Sequence, residues 1–268
     1  MQAIVHAAVT KALARFARTT ILQAHTHQWV GTYGGPGNGD YRGELLQAVK
    51  AITTYATALS IPLAQVLVRV DGLYGNAAPL VDLLTSGLGV IVRGKGDYAL
   101  LDLPLVKARL AGLPDQICTH PESGTSRALF DCLQVPLTPS GPGVRMVVAT
   151  HPASSVAPPI GVECDGAVYE IFFTTMPPQA FTPKDVLDLY LHRGSFETVL
   201  SDEDQEQDPD RWCSHTPSGQ EWWQIVSQWV WNLRLELGQQ VFPTAMRLTE
   251  FAAASQGFSQ KVRKTHVG

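Results

Sequence analysis

Charged residues are scarce in this sequence: they make up 16% of its 268 residues, whereas 45% are hydrophobic. This composition excludes an intrinsically disordered chain, and the length is sufficient to bury a core. No apolar run approaches the ~20 residues that a membrane-spanning helix requires, so we expect no membrane segment. An excess of positive charge is also absent, because the net charge is −4. Any contact with nucleic acid must therefore be local.

Cysteines are few, and the N-terminus lacks a secretory pattern. The cysteine spacing matches neither a C-x-x-C metal clip nor a dense disulfide scaffold, so we predict reduced, structural thiols. The four are Cys118, Cys132, Cys164 and Cys213. Near the N-terminus, Lys11, Arg15 and Arg18 interrupt and follow the apolar part, whereas a secretory signal has its basic residues first. We therefore expect the protein in the cytoplasm.

The first forty residues contain a predicted helix, predicted strands and a glycine-rich turn. An Ala-rich composition predicts a helix over residues 3–17, and Thr and aromatic residues predict one or two strands over residues 19–33. Residues 34–39 read GGPGNG, a spacing that fits neither phosphate-binding glycine motif, so we interpret them as a turn.

A β-α-β unit follows. Apolar residues at helical spacing predict a helix over residues 44–59. Residues 66–70 and 89–93 are continuous apolar runs, which is typical of parallel strands buried on both faces. Residues 76–85 predict the helix that joins them, with Pro79 in its first turn. The sequence therefore predicts an α/β fold.

Beyond residue 95 the pattern changes and then resumes. Pro, Gly, Ser and Thr clusters around short strands such as residues 144–149 indicate a β-rich insertion. Residues 167–173 predict a further strand. The T-P-K-D motif at 182–185 predicts a helix that runs from Pro183 to about Leu200.

Residues 219–237 predict another helix. One of its faces carries an aromatic stripe, defined as Trp222, Ile225, Val226, Trp229 and Leu233. Such a stripe could pack in the core or stack on nucleic-acid bases, and we interpret it as core packing because long apolar stripes are usually buried.

Two places carry residues suited to chemistry. Tyr190, Arg193 and Glu197 fall within about 60° of one another on the helix that begins at Pro183. They form either a small site or an ordinary Arg193–Glu197 surface pair beside a half-buried tyrosine. Asp71 ends a buried strand, where α/β sheets place ligands, although an Asp before Gly72 is also a common turn former.

These residues lie in segments that resemble the DDE transposases of bacterial insertion sequences. The segments are VRVDGLYG at 68–75, VIVRGK at 90–95 and YLHRGSFE at 190–197. The third segment fits the first three terms of that family's Y-(2)-R-(3)-E-(6)-K signature. The resemblance extends from about residue 19 to residue 240 and includes a β-rich insertion before the glutamate.

The resemblance implies an RNase H-like fold, a mixed sheet with flanking helices, and metal-dependent DNA strand cleavage and transfer. In that family three carboxylates hold two Mg²⁺ ions, and such oxygen ligands are the ones that Mg²⁺ prefers. Asp71 matches the second acid and Glu197 the last, both as catalytic metal ligands. Tyr190 and Arg193 match residues that grip DNA phosphate near the transposon end. The expected partner is DNA, and the expected assemblies are a homodimer or a heterodimer with an intact transposase.

The sequence departs from the family pattern at two positions. Residues 1–39 contain no Asp or Glu, so the first acid is missing, and Asp40 in its glycine-rich turn is a poor substitute. The signature lysine is replaced by Asp204, inside an acidic run over residues 202–210 that we expect to be an anionic loop. We therefore expect an N-terminally truncated copy with an incomplete two-metal site.

This interpretation divides the chain into four parts. They are an atypical N-terminal segment at 1–18, an RNase H-like catalytic domain at 19–95 and 166–240, a β-rich insertion at 96–165, and a C-terminal tail at 241–268.

Other functions stay open. A non-catalytic transposase remnant that interferes with intact transposase shares the same fold, and the missing acid favours it. A hydrolase using Asp71 and Glu197 as acid and base would need a deep apolar pocket. His25 and His27 alternate on a predicted strand and could form a metal pair, but zinc sites need three or four ligands, so we expect packing or surface roles.

Overall fold

The computed structural model describes residues 3–12, 16–36, 41–95, 98–119, 124–153, 161–191, 194–208 and 213–241. The chain divides into two compact units. Unit 1 is discontinuous and combines Met1–Arg69 with His192–Gly268, whereas unit 2 is the continuous stretch Val70–Leu191.

The described residues form strands and flanking helices, which confirms the predicted α/β class. The strands are β1 (Ala3–Ala12), β2 (Phe16–Gln23), β3 (Gln28–Pro36), β4 (Val66–Val70), β5 (Gly89–Arg93), β6 (Gln116–Thr119), β7 (Ser126–Pro136), β8 (Gly143–Pro152), β9 (Val162–Cys164) and β10 (Ala167–Thr174). The helices are α1 (Tyr41–Ala58), α2 (Ala77–Thr85), α3 (Pro104–Leu110), α4 (Pro183–Leu191), α5 (Gly194–Gln207) and α6 (Pro217–Val241).

In unit 1 the strand order is β3-β2-β1-β4. β1 and β2 are antiparallel, with Ala8 opposite Thr20, and β2 and β3 are antiparallel with a bulge at Ile21 and Leu22. The predicted strands over residues 19–33 are therefore confirmed as β2 and β3, and the run at 66–70 is β4.

The helix predicted over residues 3–17 is wrong, because this stretch forms β1 and the start of β2. Alanine favours a helix by only about 0.7 kcal/mol per residue or less over most other residues. A strand lying between β2 and β4 gains backbone hydrogen bonds along both edges, and these outweigh that local preference.

Helix α1 covers β3 and β2 of unit 1. It confirms the helix predicted over residues 44–59 and buries Leu45, Ala48, Ile52 and Ala56. Within this packed layer Thr19 Oγ1 donates a hydrogen bond of 2.7 Å to the carboxylate of Glu44, so neither buried polar group is unsatisfied.

Helices α5 and α6 complete unit 1. A cluster of buried apolar side chains joins them to the strands: Leu22, Trp29, Phe196, Val199, Leu200, Trp231 and Leu235. Within it the rings of Trp29 and Phe196 meet edge to face, with centroids 5.8 Å apart. The core of unit 1 therefore combines strand residues with helix residues that lie far away in the sequence.

Unit 2 is built on strands in the order β5-β10-β8-β7-β6, with β9 paired to β10. All of these pairs are antiparallel, and Phe172 of β10 lies opposite both Arg93 of β5 and Val147 of β8. The residues that the sequence assigns to a β-rich insertion thus contain β6, β7, β8 and β9.

A buried arginine ties the β strands of unit 2 to the approach of α4. Arg145 donates to both carboxylate oxygens of Asp131, over 2.9 and 2.7 Å. Its Nη1 and Nη2 atoms also donate to the carbonyl oxygens of Met176 and Phe181, respectively, each over 2.8 Å. A planar guanidinium with all these partners positions the segment before α4.

The structure gives two helices where the sequence predicts one from Pro183 to about Leu200. α4 ends at Leu191 in unit 2, and α5 begins at Gly194 in unit 1. The predicted loop at 202–210 is also wrong in part, because α5 continues to Gln207. Acidic residues can extend a helix when some of their charges find partners, as those of α5 do (below).

Helix α6 is confirmed, but its buried face is not the predicted one. Trp222 and Trp229 of the aromatic stripe are 65% and 63% exposed. The buried face instead carries Gln220, Gln224, Ser227, Gln228, Trp231, Leu235 and Gly238. Among the helices that the structure describes, none is long and apolar enough to cross a membrane.

Candidate functional site

Asp71 stands where β4 of the fold ends. All five residues of β4 are buried, and Asp71 follows directly. Its Oδ1 accepts a hydrogen bond of 2.8 Å from the backbone N–H of Leu73 and so caps the single 3-10 turn Gly72–Tyr74. The half-buried carboxylate therefore has the turn-forming role that the sequence left open, at the strand end where a site is expected.

The turn after Asp71 is pressed against the end of β5. A Cβ added to Gly75 would collide with the carbonyl oxygen of Arg93, so this position requires glycine. The N–H of Lys95 donates to the carbonyl oxygen of Gly75 over 2.8 Å. The motifs VRVDGLYG and VIVRGK thus lie side by side within unit 2.

Arg93 links this turn to α4. A Cβ on Gly72 would lie 3.6 Å from Arg93 Nε, and the Arg93 guanidinium carbon lies 6.0 Å from the centre of the Tyr190 ring. The Tyr190 ring also contacts the Phe172 ring, with ring centres 5.1 Å apart. The sequence alone assigned no role to Arg93. The signal that could have indicated one is a positively charged residue at the end of an otherwise apolar strand.

Tyr190 is buried in this packing, with 4% exposure. Glu197 lies in the first turn of α5, in unit 1, and is exposed. The prediction that Tyr190 and Glu197 share one helix face is therefore wrong, because the two residues belong to different helices. Arg193, the third member of that face, lies outside the described residues.

The two predicted metal ligands, Asp71 and Glu197, belong to different units. Within the part of the chain that the structure describes, no group of three or more His, Cys, Asp or Glu residues could hold a metal ion. The described donors thus do not amount to a magnesium site of three carboxylates, and we derive no chemical step through a metal. Asp40 lies outside the described residues.

Strand β1 lies next to β4 in unit 1, and its residues 3–12 contain no acid. The first carboxylate of the family pattern has no counterpart on β1.

His25 and His27 lie in the turn between β2 and β3, not on a strand. His27 has a φ of +59° and is buried, and its carbonyl oxygen accepts a 3.0 Å hydrogen bond from the indole N–H of Trp231. Its place is thus fixed by packing against α6, in line with the packing role expected of it.

The acidic run is partly engaged within unit 1. Glu203 is fully buried, and Glu206 pairs with Arg234 of α6 over 2.5 Å. Asp204 is exposed, seven residues after the equally exposed Glu197, and thus on nearly the same side of α5. The outer face of α5 therefore carries negative charge where the family signature has a lysine.

A second polar cluster, which sequence reasoning missed, lies on the strands of unit 2. The buried Glu170 accepts a bond of 3.1 Å from Arg127, and His151 Nε2 lies 3.7 Å from the same oxygen. Burial raises the pKa of nearby Tyr98; the Arg93 cation opposes this shift and the Glu170 anion adds to it. Alternation does not mark these polar positions, because β8 and β10 are buried over most of their length.

Comparison with known proteins adds no relative: no protein-family model matches this chain, and no significant match to a curated protein was found. The candidate site therefore stands on the geometry around Asp71, Arg93 and Tyr190 alone.

Proposed function

We propose that this chain is a transposase-type domain of RNase H-like fold that acts on DNA phosphodiesters. The observation that carries the proposal is the position of Asp71 at the end of the buried strand β4, packed against the second family-like motif through Gly75 and Arg93. The arrangement of three antiparallel strands, then α1, then β4 beside β1 also supports an RNase H-like sheet.

In this proposal the resemblance assigns Asp71 and Glu197 to Mg²⁺ and assigns Tyr190 and Arg193 to the DNA contact. Because Asp71 and Glu197 belong to different units, we derive no cleavage step through a site that they share. Because Tyr190 is buried and its ring lies next to the Arg93 guanidinium, its role in this proposal is to position Arg93. Arg93 is then the phosphate-binding group at this place. A guanidinium at a strand end can form charge-assisted, bidentate hydrogen bonds with a phosphodiester, which a neutral substrate cannot match.

Cleavage of DNA duplexes that carry the sequences flanking the gene tests this function. The full chain is incubated with the labelled duplexes in Mg²⁺ or in EDTA, and the strands are resolved on a denaturing gel. We expect Mg²⁺-dependent nicks that disappear in Asp71→Asn and Glu197→Gln. Glu163→Gln, which removes an exposed acid of β9, is the matched control and should cleave normally. Equal cleavage by all four proteins would contradict the assignment of Asp71 and Glu197.

The acid-free β1 strand favours a second candidate function, a non-catalytic protein that binds the same DNA and interferes with intact transposase. We expect such a protein to shift the duplexes on a native gel without cutting them, and to reduce their cleavage by an intact transposase. An Arg93→Ala variant should lose the gel shift while Arg109→Ala, a basic residue on α3, keeps it. Mg²⁺-dependent cleavage by the chain itself would rule this candidate out.

A further inference from the structure

A recess, the α6–β3 recess, lies between helix α6 and strand β3. Its volume is about 320 Å³, which is at the lower end of the range for small-molecule sites. Residues 29–33 form one wall, and the other wall is formed by Ile225, Gln228, Trp229 and Asn232. All nine residues belong to unit 1, so the recess is built within one compact unit.

Three polar groups in these walls have no hydrogen-bond partner within the described residues. They are the indole N–H of Trp29, the hydroxyl of Thr32 and the side-chain amide N–H of Gln228. Their residues are 5%, 5% and 4% exposed. A buried donor without a partner is unfavourable, and such groups in native structures usually bond to water or to a ligand. Two donors and a hydroxyl around one recess therefore favour a ligand that presents oxygen acceptors.

The walls of the α6–β3 recess are joined by hydrogen bonds of their own. The side chain of Asn232 accepts from the backbone N–H of Trp29 over 2.7 Å and donates to the carbonyl oxygen of the same residue over 2.8 Å. From the next position, the indole of Trp231 donates to the carbonyl oxygen of His27 over 3.0 Å. These bonds hold α6 against β3, so a ligand meets a preformed recess and little ordering opposes binding.

Aromatic rings flank the three polar groups. Trp229 is 63% exposed, and the half-buried Tyr33 also lines the recess. Burial and the nearby Glu221 anion raise the pKa of Tyr33, so its phenol stays protonated. None of the nine described lining residues is a cation, and an anion lies close by, which disfavours a phosphate or a carboxylate ligand. Water could serve the polar groups, but not the apolar surface of Ile225 and Trp229.

We propose that the α6–β3 recess binds the pyranose ring of a neutral sugar. One face of a pyranose carries C–H groups, which can lie on the indole of Trp229. Its hydroxyl groups can accept from Trp29 and Gln228 and share a hydrogen bond with Thr32. A nucleobase also stacks on indole, but in a nucleic acid it carries phosphates, for which the recess provides no cation. This proposal does not depend on the function proposed above.

Saturation-transfer NMR and calorimetric titration of the full chain test the proposal. The probes are the methyl pyranosides of glucose, galactose, mannose and N-acetylglucosamine, with uridine as the competing class. We expect saturation of the ring protons of at least one pyranoside, and an affinity about tenfold lower in Gln228→Met and in Trp229→Ala. The matched control is Trp222→Ala, which removes a 65% exposed tryptophan of the same helix that is not among the lining residues. It should bind as the wild type does.

Urea unfolding separates ligand binding from a structural role of Gln228. Because the Gln228 amide has no partner within the described residues, Gln228→Met should unfold at the same urea concentration as the wild type or at a higher one. A lower midpoint would mark Gln228 as structural and overturn its assignment to a ligand. The proposal also fails if no pyranoside is saturated, if only uridine is, or if Gln228→Met and Trp229→Ala bind as tightly as Trp222→Ala.

Discussion

Cys132 shows what burial does to an ionisable thiol. The side chain lies in β7 with 2% exposure. Burial raises the pKa of this thiol to about 11, the Arg109 cation opposes the shift, and Asp131 and Asp115 add to it. A thiol that stays protonated is a weak nucleophile, so Cys132 is structural. All four cysteines are free thiols in the structure, as their spacing predicts.

This thiol makes the stability of the fold sensitive to alkaline pH. Because its folded pKa lies above the ordinary value of 9.0, its contribution is complete below pH 9 and is lost as the pH rises through about 11. We expect the free energy of unfolding to fall more steeply over this window in the wild type than in Cys132→Ala. Urea titrations at pH 8, 9, 10 and 11 measure the difference, and parallel curves for the two proteins would contradict it.

At the same scale, the sequence was sufficient to place Asp71 but not Arg93. A buried strand followed by Asp-Gly marks its own end, so the carboxylate could be located from neighbouring residues. The contact between Arg93 and Tyr190 joins residues from distant parts of unit 2, and no local pattern encodes it. The burial of Tyr190 follows from the same packing, so it could not be predicted from the local sequence either.

Among the elements, β3 depends on a helix for the hydrogen bonds of an outer strand. It pairs with β2 on one side, and on the other side Asn232 of α6 satisfies both backbone groups of Trp29. The Asn232 side chain thus supplies the two backbone hydrogen bonds that a neighbouring strand would give Trp29. It also makes this edge of the sheet less available for pairing with a strand of another chain.

Asn232→Leu should therefore destabilise unit 1 by about 1–3 kcal/mol, because it leaves an N–H and a C=O of Trp29 without partners in a packed region. Urea unfolding monitored by tryptophan fluorescence measures the change. Gln240→Leu, an exposed position on the same helix, is the control and should lie within about 0.5 kcal/mol of the wild type. A loss no larger than that of the control would show that the two bonds are dispensable.

Elements with continuous apolar runs were predictable, and elements set by their neighbours were not. β4 and β5 match their predicted bounds because a strand buried on both faces reads as an unbroken apolar segment. β1 was not predicted because its Ala-rich composition favours a helix, and the strand is stabilised by pairing with β2 and β4, which the local sequence does not reveal. The outward turn of α6 was missed because the pattern of apolar residues reveals a face but not what covers it.

Across the whole molecule, unit 1 is assembled from two chain segments, one before and one after unit 2 in the sequence. Its core joins Leu22 and Trp29 of the early strands to Phe196 of α5 and Trp231 of α6. Besides α1, the early strands of unit 1 thus pack against apolar residues that lie beyond position 191.

Phe196→Ala should lower the free energy of unfolding by about 3–5 kcal/mol, since the ring is fully buried and its removal leaves a cavity. Hydrogen exchange should lose protection most in β2 and β3, although these strands lie far from residue 196 in the sequence. Phe130→Ala in unit 2 provides the comparison, and there the loss should fall on β7 and β8. Unchanged protection of β2 and β3 in Phe196→Ala would contradict the discontinuous core.

Because the core of unit 1 combines early and late residues, it can be completed only near the end of translation. About 200 residues separate Trp29 from Trp231. At the usual elongation speed of roughly 5–20 residues per second, this distance corresponds to about 10–40 s of translation. During that interval the nascent β2–β3 hairpin lacks the cover of α5 and α6, and its uncovered residues are exposed to chaperones and proteases. Slow codons within the segment that encodes unit 2 would lengthen this vulnerable period.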